Sequence, residues 1–341
     1  VGKGFTLLEM MISLVLLLMI IGVVFRVTDA VMTMNRRISA GVSIFQNASA
    51  ALEHVSARIS EATLNTYWDY YPPQIGDHPK PPENYIRMSD LHFVADDSEK
   101  LEIGSQDTYP TKAIFFQAPL GYSRTEENDK VTDLLNVCGF YVAFGNDEAS
   151  IPPIPALRKN AKWRYRLMEL VQPTEDLTVY SITGGSADAG QLNKSHSWFL
   201  DPIKAGTYAR PLAENIIAFI VQPKIADVEE ASSQSLSTDY HYDSREGTIS
   251  EKRNPPQPIT QNQLPPVLRI TMVAIDERSA ARLADEFGDQ QPQLVDPSFF
   301  KNTVDYDKDI ERLEHSLTEK RITYRAFSMD VPIRSAKWST R

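Results

Sequence analysis

Residues 5–25 read FTLLEMMISLVLLLMIIGVVF, an apolar run of twenty-one residues whose single charge is Glu9. At about 1.5 Å per residue, a helix of that length spans roughly 30 Å, the thickness of a bilayer's hydrocarbon core. A secretory signal peptide carries a shorter apolar region followed by small residues at a cleavage site. Here no such site follows, and Val27, Thr28 and Asp29 lead into further helical sequence. The run predicts a retained membrane anchor.

Downstream, residues 28–64 contain no proline. Val31, Met34, Ile38, Val42, Phe45, Ala48, Leu52, Val55, Ile59 and Ala62 follow one another at steps of three or four, one apolar stripe along a helix. Arg36, Arg37, Glu53, Arg58 and Glu61 fall off the stripe. Joined to the anchor, this helix would run for about 60 residues, some 90 Å. A plain membrane-anchored stalk or coiled coil would show a similar stripe.

The remainder is different in texture. The 341 residues carry a formal net charge of −10, with 42% hydrophobic and 23% charged side chains. The mean hydropathy is −0.31, so the greasy start is offset by an acidic, polar body. That charge argues against general nucleic-acid binding, which requires a basic face to displace counterions from phosphate. A single cysteine, Cys138, excludes an internal disulfide framework and a cysteine-based zinc site.

Short β-rich runs recur at 91–94, 113–117, 137–144, 177–182, 216–222, 268–275 and 322–333, bounded by Pro, Gly and Asn. They predict a largely antiparallel β body. Helices are expected at 277–287 and 307–320. Residues 225–263 are polar and acidic and run into NPPQPITQNQLPP (254–266), which predicts a mobile loop.

Upstream of the apolar run, Gly2-Lys3-Gly4-Phe5-Thr6-Leu7-Leu8-Glu9 resembles the processing signal of type IV pilins and type II secretion pseudopilins. In that family a prepilin peptidase cuts after the glycine and N-methylates the new N-terminal Phe. Carried over, the cut falls between Gly4 and Phe5, and Glu9 pairs with the N-terminal amine of a neighbouring subunit during assembly. A simpler account leaves Glu9 in the first helical turn, tolerated by the helix dipole and reaching the headgroups. Without a partner, a carboxylate well inside the bilayer costs about 2.5–3.5 kcal/mol on insertion scales.

Further resemblances lie in the body. LAENIIAFIVQ (212–222), a polar insertion and LPPVLRITMVAIDE (264–277) are similar in layout to minor pseudopilins of the J type, in which two sheet strands flank a loop. ALEHVSARISEATLN (51–65) resembles the second half of their helix. ATLNTYWDYY (62–71), AIFFQAPLG (113–121) and YRAFSMDVPIRSAKWS (324–339) resemble the pilin-like family called Verru_Chthon cassette protein C.

Catalytic and ligand motifs are sparse. His54, His78, His92, His196, His241 and His315 are scattered, with no HExxH or other metal-ligand spacing. Gly184-Gly185-Ser186-Ala187-Asp188 lacks the closing glycine of a nucleophile elbow and reads as a turn. There is no P-loop and no dinucleotide fingerprint. Asp96, Asp97 and Glu99, or Asp239, Asp243 and Glu246, offer oxygen ligands for calcium, but neither group matches an EF-hand loop, and solvation is the simpler account. Tyr67, Trp68, Tyr70 and Tyr71 form an aromatic cluster expected to pack the helix end on the sheet, with a partner patch as the other reading. Arg158, Lys159, Lys162, Arg164 and Arg166 are expected on a solvated strand edge, with phosphate binding as the competing reading.

The resulting expectation is a pilin-like α+β protein, structural rather than enzymatic, with no cofactor beyond the calcium option. Residues 1–4 would be a leader remnant, 5–27 the transmembrane and filament-core helix, 28–64 its amphipathic continuation and 65–341 a β-rich soluble domain. The resemblance implies a single-pass inner-membrane protein with a periplasmic body. Its partners would be prepilin peptidase, other major and minor pilin or pseudopilin subunits and the inner-membrane assembly machinery, and no nucleic acid. A body this bulky suits a minor subunit at or near a filament tip. The competing class is an anchored periplasmic enzyme or binding protein.

Overall fold

The computed structural model describes residues 7–71, 81, 83–103, 111–128, 130–146, 162–180, 196–225, 236–249 and 257–337. Within the first helix, the side chains at 8, 9, 12, 13, 15 and 29–44 fall outside that description. The chain is α+β. Helix α1 (Leu7–Ser60) has 54 residues, about 80 Å of helix, and leads into strands β1 (Tyr67–Tyr71) to β11 (Tyr324–Pro332).

Among the described residues, eleven strands form three sheets, and every paired neighbour is antiparallel. The largest sheet has six strands in the order β7-β6-β5-β4-β3-β9. These are β7 (Ala209–Glu214), β6 (Trp163–Gln172), β5 (Leu135–Asn146), β4 (Lys112–Pro119), β3 (Val94–Asp97) and β9 (Tyr242–Asp243). A second sheet runs β11-β10-β8, with β10 (Val267–Ile275) between β11 and β8 (Ile216–Lys224). The third is a ribbon of β1 and β2 (Asn84–Met88).

The near-continuous apolar runs of β4 and β5 follow from cover on both faces of the large sheet. Ile114, Phe116 and Ala118 alternate with Ala113 and Phe115 along β4, and Cys138, Phe140, Val142 and Phe144 alternate with Val137, Tyr141 and Ala143 along β5. One set joins the core shared with α1 and the second sheet; the other packs under α2 (Ser197–Lys204) through Trp198, Phe199, Leu200 and Ile203. Phe199 stacks on Phe115 with ring centroids 3.9 Å apart. Opposite Phe115 in register stands Gly139, where a Cβ would lie 2.1 Å from the phenyl Cδ1, so only glycine leaves room for that ring.

Helix α3 (Glu277–Phe287) starts on an N-cap, the Asp276 carboxylate accepting from Ser279 N at 3.0 Å, and ends at Gly288 with φ of 58°. Helix α4 (Tyr306–Glu319) buries Leu313 and Leu317 in the main core.

Several expectations are corrected. Residues 177–180 form a loop ending in a turn rather than a strand, and 181–182 lie outside the described residues. Within the stretch expected to be a mobile loop, residues 236–249 pack on the body: Tyr240 and Ser244 are fully buried, and β9 pairs with β3. Composition masked this because the segment's few aromatic residues all turn inward. Arg164 and Arg166, expected on a solvated edge, are buried on β6. Arg164 chelates Glu277 through both terminal nitrogens, and Arg166 donates to the Asn146 carbonyl at 2.9 Å. Arg158 and Lys159 lie outside the described residues.

Candidate functional site

The two halves of α1 have opposite surroundings. In the first half, the described large apolar side chains from Leu7 to Val27 are all exposed, from 41% at Ile21 to 80% at Leu7. They include Met10, Met11, Leu14, Leu16, Leu17, Leu18, Met19, Ile20, Val23, Val24 and Phe25. Removing one such side chain from water is worth about 1.5–3 kcal/mol, so a bare surface of this size calls for hydrocarbon or other helices around it. Thr28 turns its hydroxyl back to the Val24 carbonyl at 2.8 Å, so the polar group at the end of this stretch is satisfied within the helix. Among the described residues, no helix is long and apolar enough to cross a membrane. The processing residues Gly4 and Phe5 lie outside the described residues, as does the side chain of Glu9, whose backbone is the third residue of α1.

The second half is held by the body. Ala48, Ala51, Leu52, Val55 and Ile59 are buried in the main core, with Phe45 partly buried beside them. The helix lies against β7, β10 and β11. His54 Nε2 meets Glu169 Oε1 at 2.7 Å, and Arg210 donates to Glu169 Oε2 at 2.8 and 3.0 Å. At the helix end, Arg334 N donates to the Ser60 carbonyl at 3.1 Å.

On the far side of the large sheet, charges are paired closely. Asp97 accepts from Lys112 at 2.6 Å and Lys301 at 3.0 Å, while Asp96 accepts from Lys100 at 3.1 Å. His241 bridges Asp96 (2.8 Å) and Glu246 (2.5 Å) through its two ring nitrogens. The Asp96 hydrogen bond outweighs burial, and with Glu246 it pushes the imidazole's pKa up to about 9. The two acidic groups considered for calcium thus face ammonium and imidazole groups. A crevice of about 730 Å³ opens beside them, lined by Ser98, Thr111, Lys112, Ile217, Ile220 and Phe300.

Spacing along the chain hides one grouping of histidines. His92, Asp243 and His196 come from the approach to β3, from β9 and from the start of α2, and their ligand atoms lie within 4.8 Å of one another. His92 is fully buried, and burial holds its pKa below the ordinary value. Burial works against the Asp243 charge as well, but the nearby His196 imidazole and the hydrogen bonds from His92 and the Arg245 N–H outweigh it and hold the carboxyl well below its usual range. His315 sits on the surface, 3.6 Å from Glu319, and His78 lies outside the described residues.

The aromatic cluster does not pack the helix end. Trp68 and Tyr70 face Arg87 and Tyr85 across the β1–β2 ribbon, with Trp68 64% and Tyr85 63% exposed. The Tyr70 and Tyr85 rings are 5.2 Å apart, and the Arg87 guanidinium lies 5.9 Å from the Trp68 ring. Ribbon pairing directs these rings outward, away from the body. Cys138 is fully buried and burial pushes its thiol up, which makes it unreactive.

Residues 2–25 match the description of the prokaryotic N-terminal methylation motif. It supports a type IV pilin-like family, and with it processing by prepilin peptidase and assembly with other pilin subunits. No curated protein and no solved structure matches the chain.

Proposed function

We propose that the chain is a structural minor pilin or pseudopilin, cut between Gly4 and Phe5 and assembled at or near the tip of a pilus or type II secretion pseudopilus. The carrying observation is the coincidence of the methylation motif at 2–25 with the bare apolar half of α1. Such a surface serves first as a single-pass anchor in the inner membrane, with the body in the periplasm, and later as filament core against neighbouring helices. Glu9 then sets register against the N-terminal amine of the next subunit. The antiparallel pairing of β8 with β10 around the 225–266 insertion supports the finer likeness to J-type minor pseudopilins. The likeness to Verru_Chthon cassette protein C rests on the runs at 62–71, 113–121 and 324–339. The role is structural, and the bulk of the body favours a minor subunit.

Co-expression with a prepilin peptidase, followed by mass spectrometry of the mature N-terminus, tests this reading. A methylated Phe5 is expected; an uncut chain, or a cut elsewhere, overturns it. The crevice of about 730 Å³ favours a second reading, an anchored periplasmic binding protein, which would survive in an uncut chain that never enters filaments.

A further inference from the structure

We propose that His196 and Asp243 hold a divalent transition-metal ion of the zinc class, with His92 as the residue that positions the carboxylate. The arrangement rests on how protons are distributed around His92. The Trp198 indole N–H donates to His92 Nδ1 at 3.1 Å. An indole nitrogen can only donate, so Nδ1 presents its lone pair and the proton of the neutral ring sits on Nε2. That N–H donates to Asp243 Oδ1 at 2.7 Å, and Arg245 N donates to the same oxygen at 2.7 Å. His92 is thereby excluded as a ligand: a metal on Nε2 would force a proton onto Nδ1, facing another donor.

The two donors on Oδ1 leave Oδ2 free. Among the described residues, nothing donates to it, and His196 Nε2 stands 3.8 Å away. That nitrogen is buried without a hydrogen-bond partner among the described residues. The gap is too long for a hydrogen bond. Two ligand atoms on one zinc ion, each bonded at about 2.1 Å, lie about 3.4 Å apart at a tetrahedral angle, so a few tenths of an ångström of closure seats the ion. One imidazole nitrogen and one carboxylate oxygen select zinc, cobalt or nickel over calcium and magnesium, which take oxygen ligands. The His196 and Asp243 side chains are 26% and 11% exposed while Nε2 itself is covered, so seating the ion must also admit water to the remaining positions. The arrangement follows a familiar outer-shell pattern, a ligand fixed by a hydrogen bond from behind. An ion here would tie the start of α2 to β9 and so fasten residues 236–249 to the large sheet. This site is independent of the assembly reading.

The test is zinc titration of the full-length chain in detergent micelles after chelator dialysis, by calorimetry, with Co²⁺ absorption as a second readout. One saturable ion per chain is expected, lost in His196→Gln and Asp243→Asn and unchanged in the surface control His315→Gln. Among the described residues Nε2 of His196 has no hydrogen-bond partner, but its ring packs against His92 and Phe199, so metal-free His196→Gln is first melted and the comparison made at a temperature where it is folded. Absence of saturable binding by the wild type overturns the proposal, as does wild-type affinity in His196→Gln. His92→Gln keeps an N–H toward Oδ1 and should retain the Co²⁺ band with affinity reduced roughly 10- to 100-fold. Loss of that band in a folded His92→Gln chain would overturn the positioning role.

Discussion

His54 and Glu169 stand 115 positions apart in the chain and meet at 2.7 Å, joining α1 to the middle of β6. The carboxylate is fully buried, whereas Arg210, which grips its other oxygen, is largely exposed. The two sides of the contact therefore differ in what their loss costs. Arg210→Ala strands a buried charge with His54 alone and should cost about 3 kcal/mol. Glu169→Gln keeps an acceptor in place and should cost about 1–2 kcal/mol. Urea unfolding of both variants checks the order.

Phe115 and Gly139 make a second pair sensitive to one atom. Gly139→Ala places a methyl where the phenyl ring lies and should destabilise by about 1–3 kcal/mol or more. Phe115→Leu in the same chain should recover part of that loss, a non-additivity that a double-mutant cycle reads directly.

His241 links stability to pH. Its folded pKa, about 9, lies above the unfolded value of about 6.5, because it bridges Asp96 and Glu246 with Asp239 nearby. A raised folded pKa contributes stability that is complete below about pH 6.5 and disappears as pH climbs through about 9. Wild type should lose denaturation midpoint over that window, and His241→Gln should lose distinctly less. Equal slopes would show that the bridge makes no contribution.

The described side chains of Leu7–Val27 touch none of the buried core. A chain starting at residue 28 should stay monomeric without detergent and unfold at the temperature of the full-length protein in micelles. Size-exclusion chromatography and circular dichroism measure both.

Strong periodicity made parts of this fold readable in advance. The apolar runs mark β4, β5, β8, β10 and β11, and the helices expected at 277–287 and 307–320 fall on α3 and α4, because in each the local pattern and the tertiary burial agree. In β6, WRYRLMELVQ, the arginines and Glu169 have the look of a solvent-facing edge; Arg164 and Glu169 are instead buried against partners from distant elements, and Arg166 against the end of the neighbouring strand β5. α2 is eight residues with an internal Pro202, too short and too interrupted for a helical signal. The histidine–aspartate group was invisible for the same reason: its members meet only once β9 pairs with β3 and α2 covers the sheet. The apolar start and its motif are readable because both are written in contiguous residues.

The seating of the second half of α1 on β7, β10 and β11 also bears on mechanical load. A pull applied to the apolar half runs along the helix axis and reaches the body as shear. Shear strains the buried stripe, the Glu169 clamp and the Ser60–Arg334 bond together, whereas peeling would open them one at a time. The body is therefore built to follow its helix under tension rather than be stripped from it.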